Sequence, residues 1–241
     1  MIKKLLIIPY SFFKKKFYRN NIDLMKENTW KSSKTAKKFF ITHNKKKNIL
    51  FDDYFSEYFT KKIQKKDSVL DLGCGTGRLT KMILKKTKKV YAIDNSEEML
   101  KFAPKKAKLI KASAFNLPLK DNQFNFTLSM DLLLHFKNYK KIISEMSRVT
   151  KVGGYLIFNI GNKEHIEFGK KLFGKKIHNI YDETGKSLTR PYYSAVSNKE
   201  LKNLGKKNGL IAQNFIPYNF FQGNIILNSF SNNNIIIAKT I

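Results

Sequence analysis

From Trp30 to Ile63, apolar and aromatic positions (Phe39, Phe40, Ile49, Leu50, Phe55, Tyr58 and Phe59, with His43 among them) recur at mixed three- and four-residue steps with lysines between them. That spacing predicts amphipathic helices. Lys65-Lys66-Asp67 breaks the run, and beyond it short apolar stretches alternate with helical patterns. Val69–Leu72, Val90–Ile93, Leu109–Ile110, Phe124–Met130 and Tyr155–Ile160 read as strands, and Leu79–Lys86, Glu97–Phe102 and Tyr139–Thr150 as helices. Strand–helix alternation of this kind predicts an α/β chain, a parallel sheet with helices on both faces, here with a helical N-terminal extension. Such sheets take ligands at the carboxyl ends of their strands, so the residues that follow strands are the ones to inspect.

After Gly161 the texture changes. Residues 162–196 are polar, aromatic and turn-rich, with Gly169, Gly174, Gly185 and Pro191, and read as an insertion before the sheet resumes. Ser197 and Glu200 have the spacing of a capping box and predict a helix to about Asn208, where Gly209 ends it. Two last strands follow near Leu210–Ile216 and Ile235–Lys239. The expected organisation is a basic, aromatic arm over residues 1–29 and one domain over 30–241. Within it, 30–66 supply N-terminal helices, 67–161 a ligand-binding core, 162–196 the insertion and 197–241 the closing helix and strands.

A length of 241 residues is enough to bury a core without disulfides, and Cys74 as the single cysteine excludes an intramolecular disulfide framework. Hydrophobic residues make up 42%, too many for a disordered chain. No apolar run approaches the ~20 residues of a membrane-spanning helix. The chain therefore reads as a cytoplasmic, folded protein. Its first twenty residues pair lysines with Phe12, Phe13 and Phe17 around Pro9, without the long apolar core of a secretory signal. They suit an arm that covers the domain or a weak contact with an anionic membrane surface. The formal charge is +29, but only Arg19, Arg78, Arg148 and Arg190 are arginine, against 43 lysines. Selection for nucleic acid favours arginine's planar fork, so the charge divides between compositional drift and attraction to polyanions such as RNA.

The densest chemistry is Val69-Leu70-Asp71-Leu72-Gly73-Cys74-Gly75-Thr76-Gly77, a strand that ends in an acid and runs into alternate glycines. Glycines permit positive φ and let a ligand lie against bare backbone. The third glycine follows the second by two positions, not the three of a dinucleotide fingerprint, and no Gly-Lys-Ser/Thr follows, so a P-loop is excluded too. What is left is a loop suited to an adenosyl ligand without a pyrophosphate. One strand–helix unit later, Ile93-Asp94-Asn95-Ser96 closes the second strand with an acid that can hold ribose hydroxyls.

These residues resemble the class I S-adenosylmethionine-dependent methyltransferase family. The likeness continues through Leu117-Pro118-Leu119-Lys120-Asp121-Asn122-Gln123-Phe124 and Arg148-Val149-Thr150-Lys151-Val152-Gly153-Gly154-Tyr155-Leu156-Ile157, in order and at family spacing over about residues 60–160. The resemblance implies a Rossmann-like seven-stranded, mostly parallel sheet whose last strand is antiparallel, with S-adenosyl-L-methionine over the first strands. It places Gly73, Cys74, Gly75 and Gly77 along the cofactor's methionine and ribose portions, Asp71 near its ammonium and Asp94 on its ribose. Ser96 and Met99 would border the adenine, and Asn95 and Met130 complete the cofactor-binding set. Ala112-Ser113-Ala114 stands where relatives carry Gly-Asp-Ala, leaving Ser113 and the Ala114 N–H for the adenine, and Asn125 stands where relatives usually carry Asp.

Methyl transfer from a sulfonium needs alignment and desolvation, and a base only where the acceptor must lose a proton. His135, in Leu132-Leu133-Leu134-His135-Phe136 after the fourth strand, suits that base or a packing role. Tyr192 and Tyr193 could cover the acceptor or pack within the insertion. His43 reads as solvent-facing and Cys74 as a small filler. His165 and His178 lack cysteine or carboxylate spacing, so no metal site is indicated. The leading expectation is a methyltransferase acting on a small-molecule or lipid-like acceptor, similar to the quinone-ring branch. The alternatives are RNA modification, for which Arg190-Pro191-Tyr192-Tyr193 faintly resembles the tRNA wobble-uridine enzymes, and a non-catalytic cofactor-binding module. Oligomeric state is not legible.

Overall fold

The computed structural model describes residues 31–43, 59–136, 138–163, 180–181, 187–188, 195–221, 224–226 and 233–241. The 1–29 arm, most of the 162–196 insertion with Tyr192, Tyr193, His165 and His178, and much of the predicted 30–66 helical region lie outside them. In chain order the elements are α1 (Ser33–His43), a 3-10 turn (Thr60–Lys62), β1 (Ser68–Leu72), α2 (Arg78–Ile83), β2 (Lys89–Asp94), α3 (Glu97–Leu100) and β3 (Lys108–Lys111). Then come β4 (Phe124–Ser129), a 3-10 turn (Leu133–His135), α4 (Tyr139–Val149), β5 (Thr150–Asn162), β6 (Ile180–Tyr181), β7 (Ser187–Leu188) and β8 (Ala195–Val196). α5 (Asn198–Lys207), β9 (Leu210–Phe221), β10 (Asn224–Ile226) and β11 (Asn233–Thr240) close the chain.

The sheet runs β10-β9-β11-β5-β4-β1-β2-β3, with β8 added beside β5. Strands β1 to β5 are mutually parallel, and β11 slots antiparallel between β5 and β9. The expected seven strands are therefore present with the last one antiparallel; the described sheet counts nine because the short β8 and β10 extend it. β6 and β7 form a separate antiparallel pair.

Side-chain alternation splits the core into two layers. Leu70, Leu72, Leu156, Phe158 and Ile160 face Ile142, Ile143 and Met146 of α4 and Leu201 and Leu204 of α5. Val69, Ala92, Leu128 and Ile157 face Leu79 and Ile83 of α2, with Phe59 and Ile63 closing that side. Strands buried on both faces read as continuous apolar runs, which is why they stood out in the sequence.

Boundaries moved where tertiary pairing overrode local pattern. β5 starts at Thr150, ahead of Gly153-Gly154, because Phe124 pairs with Thr150 before the register shifts. An added Cβ at Gly154 would lie 2.9 Å from the Asn125 carbonyl oxygen, so that glycine serves strand-to-strand approach. Ser197 caps α5 as expected: its side chain accepts from the Glu200 N–H (3.1 Å), and Glu200 accepts from the Ser197 N–H (2.8 Å). Asn125 accepts from the Ser68 N–H through its amide oxygen (3.0 Å), binding the start of β1 to β4.

Phe158 is fully enclosed in the α4/α5 layer. Truncation to alanine should cost about 3–5 kcal/mol of unfolding free energy, read from denaturant curves. A loss below about 1 kcal/mol would contradict this packing.

Candidate functional site

β1, β2 and β4 are adjacent and parallel, so their carboxyl ends open on one edge of the molecule. The glycine loop rises from β1 and bends back toward β2: the Gly73 and Cys74 N–H groups both donate to the Ile93 carbonyl (2.8 and 3.0 Å). Gly73, Gly75 and Gly77 have φ of +73°, +53° and +78°. Non-glycine residues pay a steric penalty in this region.

The three glycines do different work. In front of Gly73 an added Cβ would lie 2.9 Å from Leu132, and in front of Gly77 it would overlap Pro104 and approach Ala103. Those two positions are packing contacts with the loops after β4 and α3. At Gly75 nothing lies within 4 Å of the position a Cβ would take. That opening is a cradle which a side chain would fill.

Asp94 lies next to the opening. Its Oδ2 accepts from the Gly75 N–H and its Oδ1 from the Ser96 N–H, both at 2.8 Å. One carboxylate thus braces the loop and the start of α3, and each oxygen retains a lone pair for further donors. Burial raises its pKa against the pull of these N–H groups. Asn95 is exposed beside it. Ser96 and Met99, expected along an adenine, are buried: the Ser96 hydroxyl accepts from the Met99 N–H (3.2 Å) as the cap of α3.

Asp71 is sealed beneath the loop, with its Oδ2 accepting from the Thr80 hydroxyl (2.6 Å). Burial pushes its carboxyl up to about 6, the Asp94 charge acts in the same sense, and the Thr80 hydrogen bonds oppose both. Thr80 was not flagged by sequence; its place on the first turn of the helix after the glycine loop is the signal that could have found it. Burial also pushes the Cys74 thiol well above its ordinary range, consistent with a filler.

The other wall comes from β3 and β4. Ala112 donates its N–H to the Asp94 carbonyl (3.1 Å), which sets Ser113 and Ala114 at the mouth; Ser113 is exposed and its hydroxyl accepts from the Phe115 N–H (3.3 Å). Met130 is buried in the α2-side core. After it, Asp131 takes φ +59° and is clasped by the fully buried Asn159. Its N–H donates to Asn159 Oδ1, and Asn159 Nδ2 donates to Asp131 Oδ1, both at 2.6 Å. This clasp, which no sequence pattern announced, turns the chain so that Leu132 reaches Gly73. His135 follows, half-buried in the 3-10 turn with its N–H on the Leu132 carbonyl (3.0 Å). The structure therefore brings His135 and the glycine loop to the same end of the sheet.

Two outcomes follow from this geometry. Gly75→Ala should lose only about 1 kcal/mol, the cost of its positive φ, whereas Gly77→Ala should lose several-fold more because Pro104 and the Ala103 backbone must move. Thermal unfolding compares them, and a larger loss at Gly75 would contradict the assignment. The folded chain holds the Asp71 proton to higher pH than the unfolded chain does, so this group's contribution to stability falls as pH rises from about 4 to about 6. Asp71→Asn should abolish that decline, on the order of 2–3 kcal/mol by pH 7. Parallel stability–pH curves for the two proteins would refute it.

Comparison with known proteins agrees with this geometry. Residues 70–158 match the family model described as a methyltransferase domain. An uncharacterized protein of Methanocaldococcus jannaschii is 37% identical over 146 residues, which is 58% of this chain and 64% of that protein, so the chain spans less than two thirds of this relative. The demethylmenaquinone methyltransferase of Geobacillus stearothermophilus is 29% identical over 180 residues, 66% of this chain and 76% of that one. In fold, the chain is similar to a Thermotoga maritima crystal structure described as an S-adenosylmethionine-dependent methyltransferase, possibly acting on histamine nitrogen. The TM-score is 0.58 at 21% identity, over 88% of this chain and 97% of that one. Residues 70–158 thus carry a methyltransferase domain, and the chain has the fold of S-adenosylmethionine-dependent methyltransferases around the cradle at Gly75 and the carboxylate at Asp94.

Proposed function

We propose that this chain transfers a methyl group from S-adenosylmethionine to a small-molecule or lipid-like acceptor by in-line displacement. The observation that carries the reading is the opening at Gly75, braced by Asp94. When bound, S-adenosylmethionine supplies an electrophilic methyl on a sulfonium whose positive charge disperses as the methyl leaves.

The chain's residues fit that group. Asp94 accepts from the ribose hydroxyls with the lone pairs that Gly75 and Ser96 leave. The bare Gly75 backbone lets the nucleoside lie close, and Ser113 and Ala114 flank the adenine. Asp71 and Asp94 place two carboxylates at the ends of adjacent strands in a chain of formal charge +29, a local negative field that favours a cationic ligand over a pyrophosphate. His135, at the carboxyl end of β4, is the side chain offered to take a proton where the acceptor must lose one. Tyr192 and Tyr193 are assigned to the acceptor side on sequence alone. A quinone-like acceptor is supported by the likeness to the demethylmenaquinone enzyme and by the basic, aromatic character of the N-terminal arm.

Asp94→Ala should weaken calorimetric binding of S-adenosylhomocysteine at least tenfold, since charge-assisted hydrogen bonds of about 1.5–3 kcal/mol are lost. Unchanged affinity would overturn the site. With labelled methyl donor and fractionated extract, label in the small-molecule or lipid fraction supports the acceptor class, and label confined to RNA or protein refutes it.

A further inference from the structure

Residues 112–123, between β3 and β4, form a strap with no helix or strand of its own. Its first residue is tied to Asp94 through the Ala112 N–H (3.1 Å). At its far end the Asn122 and Gln123 N–H groups donate to the Arg148 and Val149 carbonyls (3.0 and 2.8 Å). Those lie in the last turn of α4, where carbonyls lack helical partners.

One side-chain pair holds the middle. Arg148 donates from Nη2 to the Leu117 carbonyl (3.1 Å) and from Nη1 to the Leu119 carbonyl (2.8 Å), spanning Pro118. Its Nε and Nη2 also grip Glu145 Oε1 and Oε2, both at 2.9 Å. Glu145 Oε2 in turn accepts from the Leu117 N–H (2.7 Å). The pair therefore satisfies both the donor and the acceptor of Leu117. A further arm reaches Asp121 (2.7 Å), but that side chain is 68% exposed and solvent screens it.

Arginine at this position is informative in a chain with 43 lysines and four arginines. Lysine carries its donors at one point and cannot grip a carboxylate bidentately while reaching two carbonyls across a proline. The strap that this fork holds faces both sides of the site. Ser113 and Ala114 sit at the mouth beside Asp94, and Phe115 packs edge-to-face on Phe136 (5.1 Å), the neighbour of His135.

We propose that Arg148 and Glu145 act as positioning residues for the donor site. By fixing Leu117 and Leu119 they hold Ser113–Phe115 against Asp94 and Phe136, and so set the affinity for S-adenosylmethionine. This rests on the methyltransferase reading above. The test uses the full chain with Arg148→Lys, which keeps the charge and removes the fork. Amide hydrogen exchange over residues 112–122 should speed up, and the Kd for S-adenosylhomocysteine should rise about tenfold, a typical effect of losing an outer support. With labelled donor, the donor KM should rise by a similar factor while kcat changes less. If Arg148→Lys fails to fold, Glu145→Gln, which keeps both carbonyl bonds to Arg148 and weakens the grip on the Leu117 N–H, should shift both readouts in the same direction. Faster exchange with unchanged Kd, or unchanged exchange, overturns the proposal. Failure of the unaltered protein to bind S-adenosylhomocysteine would instead remove the reading beneath it, and the clamp with it.

Discussion

The bond from the Gly75 N–H to the Asp94 carboxylate is the constraint on which the site depends. It joins the turn after β1 to the end of β2, and the same carboxylate reaches the first residues of α3. Burying that charge is costly, and burial duly raises its pKa. The cost is offset by backbone donors on both sides. Without them the loop would have no reason to keep a positive φ at Gly75 while leaving the space in front of it open. Asp71 underneath repeats the arrangement with one hydroxyl, and its carboxyl rises accordingly.

Around this bond the fold uses close packing where a looser loop would leave choice. Leu132 against Gly73 and Pro104 against Gly77 press the glycine loop from two sides. Each of those residues is itself held: Leu132 follows the Asp131–Asn159 clasp, and Pro104 follows the short α3 that Ser96 caps. The glycine loop and the turn that carries His135 are consequently parts of one packed unit. A shift in either is transmitted through side chains in van der Waals contact, which have little room to absorb it. Lysine dominates the charged residues of the chain, while the site and its supports draw on the scarcer ones: aspartate at the strand ends, and arginine where a forked donor is required.

Much of this was legible in the residues. The strands stood out because sheets buried on both faces need unbroken apolar runs, and Ser197 with Glu200 announced α5 because capping is a local interaction. The ends were less legible. β5 extends back through Gly153-Gly154 because β4 pairs with it there, and β9 runs to Phe221 because β11 and β10 extend its ladder. Local propensity contains neither fact.

For the site, the order of acid, glycines and second acid was enough to name the class of ligand, since backbone exposure and ribose recognition depend on residues close in sequence. Which glycine has open space before it was decided by Leu132 and Pro104, residues 59 and 27 positions away from the glycines they cover. The Asn159 clasp and the Arg148 fork belong to the same category. A sequence specifies contacts within a turn directly, through spacing and side-chain type. Contacts between the carboxyl ends of different strands exist only once the sheet has brought those ends together, and so the tertiary structure alone determined the shape of the cradle.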